Sequence, residues 1–283
     1  MNTEITDETV NESDLVLWSK PKPPRFHLRL AARLQRHPVP IQAFFRHSIV
    51  LTYALPQAIL EPLLPPGLAL DTYAGFGFVA IAMVLAQSLR PAFCPKWCGQ
   101  DFFLSGYRVF ARYQNRSGRT LRGLRILRSD TDRPLMVYFG NRLTHYNYRL
   151  AQVSVRDDDG LLTIQIQTPR ADADLHIVAD FAGASASLPT GSPFADFRAA
   201  RRFAGPLPFT FDYEAQTRSI VLIEGVREHW HPELIRVDVL RCTFFQHPAF
   251  QGVQPLLANA FHVEDVPYRW KAGVVEPLNK GDV

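Results

Sequence analysis

From His47 to Phe245 the chain is a succession of short runs rich in β-branched and aromatic residues, separated by turn-forming residues. That repetition constrains the fold most, because many short strands with few helices between them build sandwiches or closed β architectures. The runs are HSIVLTYAL (47–55), GFGFVAIAMVLAQSL (75–89), GYRVFARYQN (106–115), TLRGLRILRSD (120–130), LMVYFGN (135–141), HYNYRLAQVSV (145–155), LLTIQIQT (161–168), ADLHIVADF (173–181), TRSIVLIEGVREHW (217–230) and LIRVDVLRCTFF (234–245). The second is apolar almost throughout and reads as a buried strand. RDDDG (156–160) reads as a hairpin turn, with Gly160 able to take positive φ.

Helical signals are sparse. RFHLRLAARLQRH (25–37) repeats an apolar residue every fourth position at Phe26, Leu30 and Leu34, with arginines between. PQAILEPLLPPGL suggests a short helix opened by Pro56 and stopped at Pro65–Pro66–Gly67. A third helix is expected to be capped by Ser192, to take Pro193 at its first position, and to end at Gly205. Residues 1–24, acidic and then KPKPP, form a loose arm; no repeat or linker interrupts the chain beyond it, which predicts one domain over 25–283.

Several function classes are excluded by what is missing. There is no G-x-S-x-G, P-loop or dinucleotide fingerprint, and no nucleic-acid-binding module accompanies the net charge of +4. No apolar run reaches the roughly 20 residues of a membrane helix. The acidic N-terminus lacks the pattern of a signal peptide, and Cys94, Cys98 and Cys242 make no disulfide framework, so a cytoplasmic protein is expected. The pair in CPKWC and the histidines of HWHP (His229 and His231) do not match a common zinc spacing, and no metal or cofactor is expected.

The stretch LTHYNYRLAQVSV (143–155) frames the functional question. Read with period two, one face carries Leu143, His145, Asn147, Arg149, Ala151, Val153 and Val155, polar at one end and apolar at the other. Either the apolar end fills a core while His145, Asn147 and Arg149 face a cavity, or the strand leaves its sheet at the polar end. Glu224 shares a face with Ile220, Leu222 and Val226; a carboxylate in such a row is paired or has a raised pKa. Arg108, Arg125, Arg128 and Arg149 are the partners open to it, with Arg125 and Arg128 on opposite faces of their strand.

The segment RHSIVLTYALPQAILEPLLPPGLALDTYAGFGFVAIAMV (46–84), then FLSGYRVFARY and GSPFADFRAARRFAGP, resembles the DUF2071 group of the acetoacetate decarboxylase-like superfamily, a similarity running over residues 40–270. The resemblance implies a mainly β fold with few short helices: a single large, cone-like antiparallel β-barrel with an internal cavity. In the decarboxylases a lysine forms a Schiff base with the substrate ketone beside a second lysine that lowers its pKa. The corresponding region here, GLRILRSDTDRPLMVYFGN (123–141), contains no lysine, whereas Arg46 falls where those enzymes keep a pocket arginine.

The residues and the resemblance together point to a barrel that binds or transforms a small organic acid without the Schiff-base lysine pair. Arg46, Arg108, Arg149 and Asn147 are the expected ligand-binding residues, and His145 and Glu224 the expected catalytic ones. Whether the chain is an enzyme stays open; the chemistry open to it is lyase-like or acid–base, with no imine. The rival reading is a non-catalytic structural or partner-binding barrel with a self-paired polar interior. Self-association into a homo-oligomer is also left open.

Overall fold

A computed structural model of the chain describes residues 33–181, 187–205 and 207–278. Five long strands form its frame: β1 (Ile41–Pro56), β3 (Phe76–Pro91), β4 (Gln100–Gln114), β5 (Thr120–Thr131) and β14 (Leu256–Trp270). They pair antiparallel in the order β14–β1–β3–β4–β5. β10 (Phe209–Glu214) lies parallel beside β5, and β11 (Ser219–Arg227) pairs antiparallel with β10. The far end of β11 then pairs with β14, Gly225 opposite Trp270 and Arg227 opposite Tyr268. The hydrogen-bonded path of these seven strands therefore returns to the strand where it began. β2 (Leu68–Leu70), β6 (Tyr148–Leu150), β12 (Glu233–Leu234) and β15 (Val274–Pro277) attach at its margins.

A second, four-stranded sheet follows the order β13–β9–β8–β7, from Arg236–Cys242, Leu175–Asp180, Leu161–Gln167 and Gln152–Asp158 respectively. Its Ile164, Ile166 and Ile177 pack with Ile49, Leu51, Ile81 and Val109 of the large sheet in one hydrophobic cluster. Each fully buried isoleucine there contributes about 1.5–3 kcal/mol. The opposite face of the large sheet carries Val84, Leu104, Phe261 and Val263, and further along Phe78 and Phe110 against Phe203. Covered on both faces, β3 is buried at every position from Phe78 to Val84, which is why its sequence is apolar without alternation.

Most strands form where the alternation places them, and the Asp159–Gly160 turn joins β7 to β8 with positive φ at both residues. Four departures have local causes. LMVYFGN is not a strand: Pro134 opens helix α2 (Pro134–Leu143), following the short α1 (Gln57–Leu60), and the buried Met136 and Gly140 lie one turn apart. HYNYRLAQVSV divides at Ala151 between β6 in the large sheet and β7 in the small one, so the polar-to-apolar change along it marks a change of sheet. The third helix, α3 (Phe197–Ala204), ends at Gly205 as expected but starts later. Asp196, not Ser192, caps it by accepting from Ala199 N at 2.7 Å. β10, β14 and β15 are not foreseen from the sequence pattern; in β14 EDVP breaks the apolar run. The arm at 1–24 and most of the helix at 25–37 lie outside the described residues. Among the described residues no helix is long and apolar enough to cross a membrane.

Candidate functional site

Small residues open a space inside the closed strand path. Across adjacent strands Val50, Ala82 and Gly106 are neighbours, and Ala80 lies opposite Arg108. A Cβ on Gly106 would come within 2.8 Å of Arg108 Nε, so the guanidinium lies over the bare glycine. The resulting cavity of about 100 Å³ is lined from every strand of the circuit: Ser48, Ala82, Arg108, Ile126, Thr210, Arg227 and Tyr268 each come from a different one. Tyr146, Tyr148, Trp230 and Trp270 complete the wall. A second cavity of about 110 Å³, almost wholly apolar and reaching Met136 and Phe139 of α2, shares Leu104, Tyr146, Tyr148 and Trp270 with it.

The first cavity holds two guanidinium groups, an indole N–H and several hydroxyls, and no carboxylate among the described residues. Arg108 Nε and Trp230 Nε1 are buried with no acceptor among the described residues. Burial lowers the affinity of Arg108 for its proton, with Tyr268, Tyr146 and Tyr148 acting in the opposite direction, and no ion pair joins it to a carboxylate among the described residues. Arg227 is lowered by burial in the same way, donates to Tyr268 Oη at 3.2 Å and lies over the Trp230 ring at 5.1 Å. Both stay protonated, since arginine starts far above neutral pH. Burial also raises Tyr146 and Tyr148, which remain neutral phenols. A buried positive charge without a counter-charge is costly, and an anionic ligand would relieve that cost.

Of the residues expected to bind or react, Arg108 alone lines this cavity. The cavity expected to hold Arg46, Arg108 and His145 together does not form. Arg46 sits at a β-bulge, where the register with β3 shifts between Phe45 and His47. Phe45 and Ser48 point inward there, and Arg46 is turned out to pair with Asp265 at 2.5 Å, both half-exposed. His145 precedes β6, where Tyr146 and Tyr148 take the cavity side; it acts instead on Glu214, the partner of Arg36. Asn147 has φ 53° and donates to the Leu127 carbonyl at 3.0 Å. Leu127 is the extra residue of a second bulge, between Arg108–Ile126 and Tyr107–Arg128.

That second bulge puts Arg125 and Arg128 on one face, opposite Val109 and Tyr107, where simple alternation separates them. The arginines thereby find aspartates: Arg125 with Asp212 at 2.8 Å, Arg128 with Asp130 at 2.9 Å and Asp172 at 2.8 Å, and Arg149 with Asp172 at 3.1 Å. Burial pushes the Asp130 carboxyl up to about 6 against the pull of Arg128 and Arg149. Glu224 pairs with none of the four expected arginines; its partner is Lys271 at 2.8 Å, on the surface.

Arg227, Tyr146, Tyr148, Tyr268 and Trp230 were not legible as site residues. Two signals existed. The alternate alanines of VAIAMV mark a strand face with space in front of it, and Gly225 with Arg227 forms the face of β11 opposite Glu224.

In structural comparison the chain is similar to acetoacetate decarboxylase from Legionella pneumophila subsp. pneumophila str. Philadelphia 1, at TM-score 0.56 and 11% identity over 96% of this chain and 98% of that one. It is similar to the enduracididine biosynthesis enzyme MppR complexed with pyruvate, at TM-score 0.53 and 11% identity over 84% and 90%. It is also similar to an acetoacetate decarboxylase-like enzyme from Sphingomonas wittichii RW1, at TM-score 0.52 and 10% identity over 83% and 92%. At this identity the likeness establishes an acetoacetate decarboxylase-like fold. No curated protein matches the chain. The profile of the DUF2071 family, described as an uncharacterized conserved protein, matches residues 42–264, and the chain belongs to that family.

Proposed function

We propose that the chain is a single barrel domain that binds a small organic acid in the cavity enclosed by the seven-strand circuit. The observation that carries this reading is Arg108, whose Nε is buried without an acceptor and which has no carboxylate partner among the described residues, beside Arg227 in the same cavity. The ligand's carboxylate would meet these two arginines. The cavity of about 100 Å³ is smaller than the roughly 150 Å³ that holds a benzene. It suits an acid of pyruvate size, and a short apolar tail would have to pass Tyr146, Tyr148 and Trp270 into the second cavity.

Binding is favoured over catalysis because the lining holds no His, Asp, Glu, Cys or Lys among the described residues. Lys96 and Lys271 stand elsewhere, so the reading includes no imine. It gives no catalytic role to His145 or Glu224, and sets the protein in the cytoplasm, where Cys94, Cys98 and Cys242 stay as thiols. The structural rival, a self-paired interior, is disfavoured by the unpaired Arg108.

The test is calorimetric titration of the full chain with pyruvate, butyrate, benzoate and the neutral isobutyramide, alone and with Arg108→Met. Pyruvate and butyrate should bind, benzoate should be excluded by its size, the amide should not bind, and the variant should lose binding. Equal binding of acid and amide, or full binding by the variant, overturns the reading. Incubation with acetoacetate and borohydride should leave the intact mass unchanged; an adduct on Lys96 or Lys271 would restore imine chemistry.

A further inference from the structure

We propose that His47, His262 and Glu264 form a site for a divalent first-row metal ion of the zinc class, on the face of β1 turned away from the arginine cavity. The three residues come from two paired strands. His47 lies opposite Glu264 and Ile49 opposite His262, so all three side chains share one face. Their ligand atoms lie within 4.8 Å of one another. His47 Nδ1 and His262 Nε2 are 3.0 Å apart.

That separation suits a shared ion. With metal–nitrogen bonds of about 2.0–2.1 Å, it corresponds to an angle of roughly 90–100° at the metal, between the octahedral and tetrahedral values. Ligands of a tetrahedral ion with such bonds stand about 3.3 Å apart, so the Glu264 carboxylate, within 4.8 Å of the imidazole nitrogens, must close by up to about 1.5 Å to join them. It is exposed and makes no ion pair among the described residues, so its rotamers can supply that movement. A hydrogen bond between the two imidazoles would account for their approach, but not for a carboxylate on the same face.

The surroundings favour a cation. Phe181 stacks on His262 at 4.3 Å and on His47 at 6.1 Å, fixing both rings. Glu233 of β12 lies opposite His262, and Asp157 acts on His47 from the second sheet. Arg46, the nearby positive group, is neutralised by Asp265. Three protein ligands leave the remaining positions to water, as in sites that keep an open position.

The test uses the full chain without an affinity tag, stripped with chelator and titrated with zinc chloride by calorimetry and with cobalt chloride by visible absorption. One equivalent should bind, with cobalt d–d bands showing nitrogen and oxygen ligation. His262→Gln should abolish the bands, and Glu264→Gln, at an exposed position, should weaken zinc by about tenfold or more. His229→Ala with His231→Ala should bind as the parent does. Absence of binding, affinity unchanged in Glu264→Gln, or loss of binding in the His229/His231 variant would each overturn the proposal. Circular dichroism of His262→Gln separates loss of ligand from loss of fold. Because the site lies across β1 from Arg108, its outcome is independent of carboxylate binding.

Discussion

Arg108 and Arg128 flank the same β-bulge, the one made by Leu127, yet their energetic roles are opposite. Arg128 is 1% exposed, and its guanidinium meets Asp130, which is fully buried, and Asp172. Removing it leaves a buried carboxylate without compensation, so Arg128→Met should cost about 3–5 kcal/mol. Arg108 has no such partner among the described residues. Arg108→Met removes an unpaired buried charge and fills the same space, so it should leave stability unchanged or raise it by about 1 kcal/mol while abolishing carboxylate binding. Urea denaturation of both variants without ligand gives the comparison. Equal destabilisation would mean that Arg108 is held by the protein and not kept for a ligand.

At the scale of elements, α2 and β6 are fitted to each other through a glycine. A Cβ at Gly140 would stand 2.4 Å from the Tyr148 ring, which lies against the helix backbone and forms part of the wall between the two cavities. Asn141 holds the same contact from the side, its amide donating to Tyr148 O at 2.8 Å and its carbonyl accepting from Tyr148 N at 2.9 Å. Helix propensity alone predicts that Gly140→Ala stabilises by about 1 kcal/mol. Overpacking against the Tyr148 ring opposes this with about 1–3 kcal/mol. The expected outcome is net destabilisation, read from the urea midpoint. A stabilised variant would show that Tyr148 moves freely and that the partition between the cavities is soft.

Across the whole molecule, His37 ties distant parts of the chain together. Its N–H donates to Leu143 O at the end of α2, and its carbonyl accepts from Gly273 N just before β15, both at 2.9 Å. The side chain is 5% exposed, and burial lowers its pKa to about 4 against the backbone groups that favour the charged form. Between that value and the ordinary 6.5 the unfolded chain binds the extra proton. The contribution is therefore complete above the ordinary value and is lost as pH falls towards 4, on the order of 3 kcal/mol in all. Asp130 works the other way: its carboxyl is raised to about 6, so its contribution is present at low pH and lost as pH rises through that value. The difference between the protein and His37→Asn isolates the histidine. Urea midpoints from pH 7 to pH 4.5 should fall less steeply in the variant, and identical slopes would dismiss His37 as the source.

The amino-acid sequence by itself determined the β-rich class, most of β3, β5, β8, β9 and β11, the Asp159–Gly160 turn, the lack of lysine at 123–141 and the family. These depend on local propensity and period-two patterning, which each segment carries whatever surrounds it. Which face of a strand meets the cavity was decided only by the tertiary structure. Alternation predicts faces until one extra residue enters a ladder, and the bulges at Arg46 and Leu127 reverse the faces beyond them because of pairing with other strands. For the same reason Glu224 met Lys271 instead of an arginine, and the aromatic face of HYNYRL, not its polar one, reached the cavity. His47 and His262 are 215 residues apart, and no spacing rule joins them; the register of β1 on β14 does.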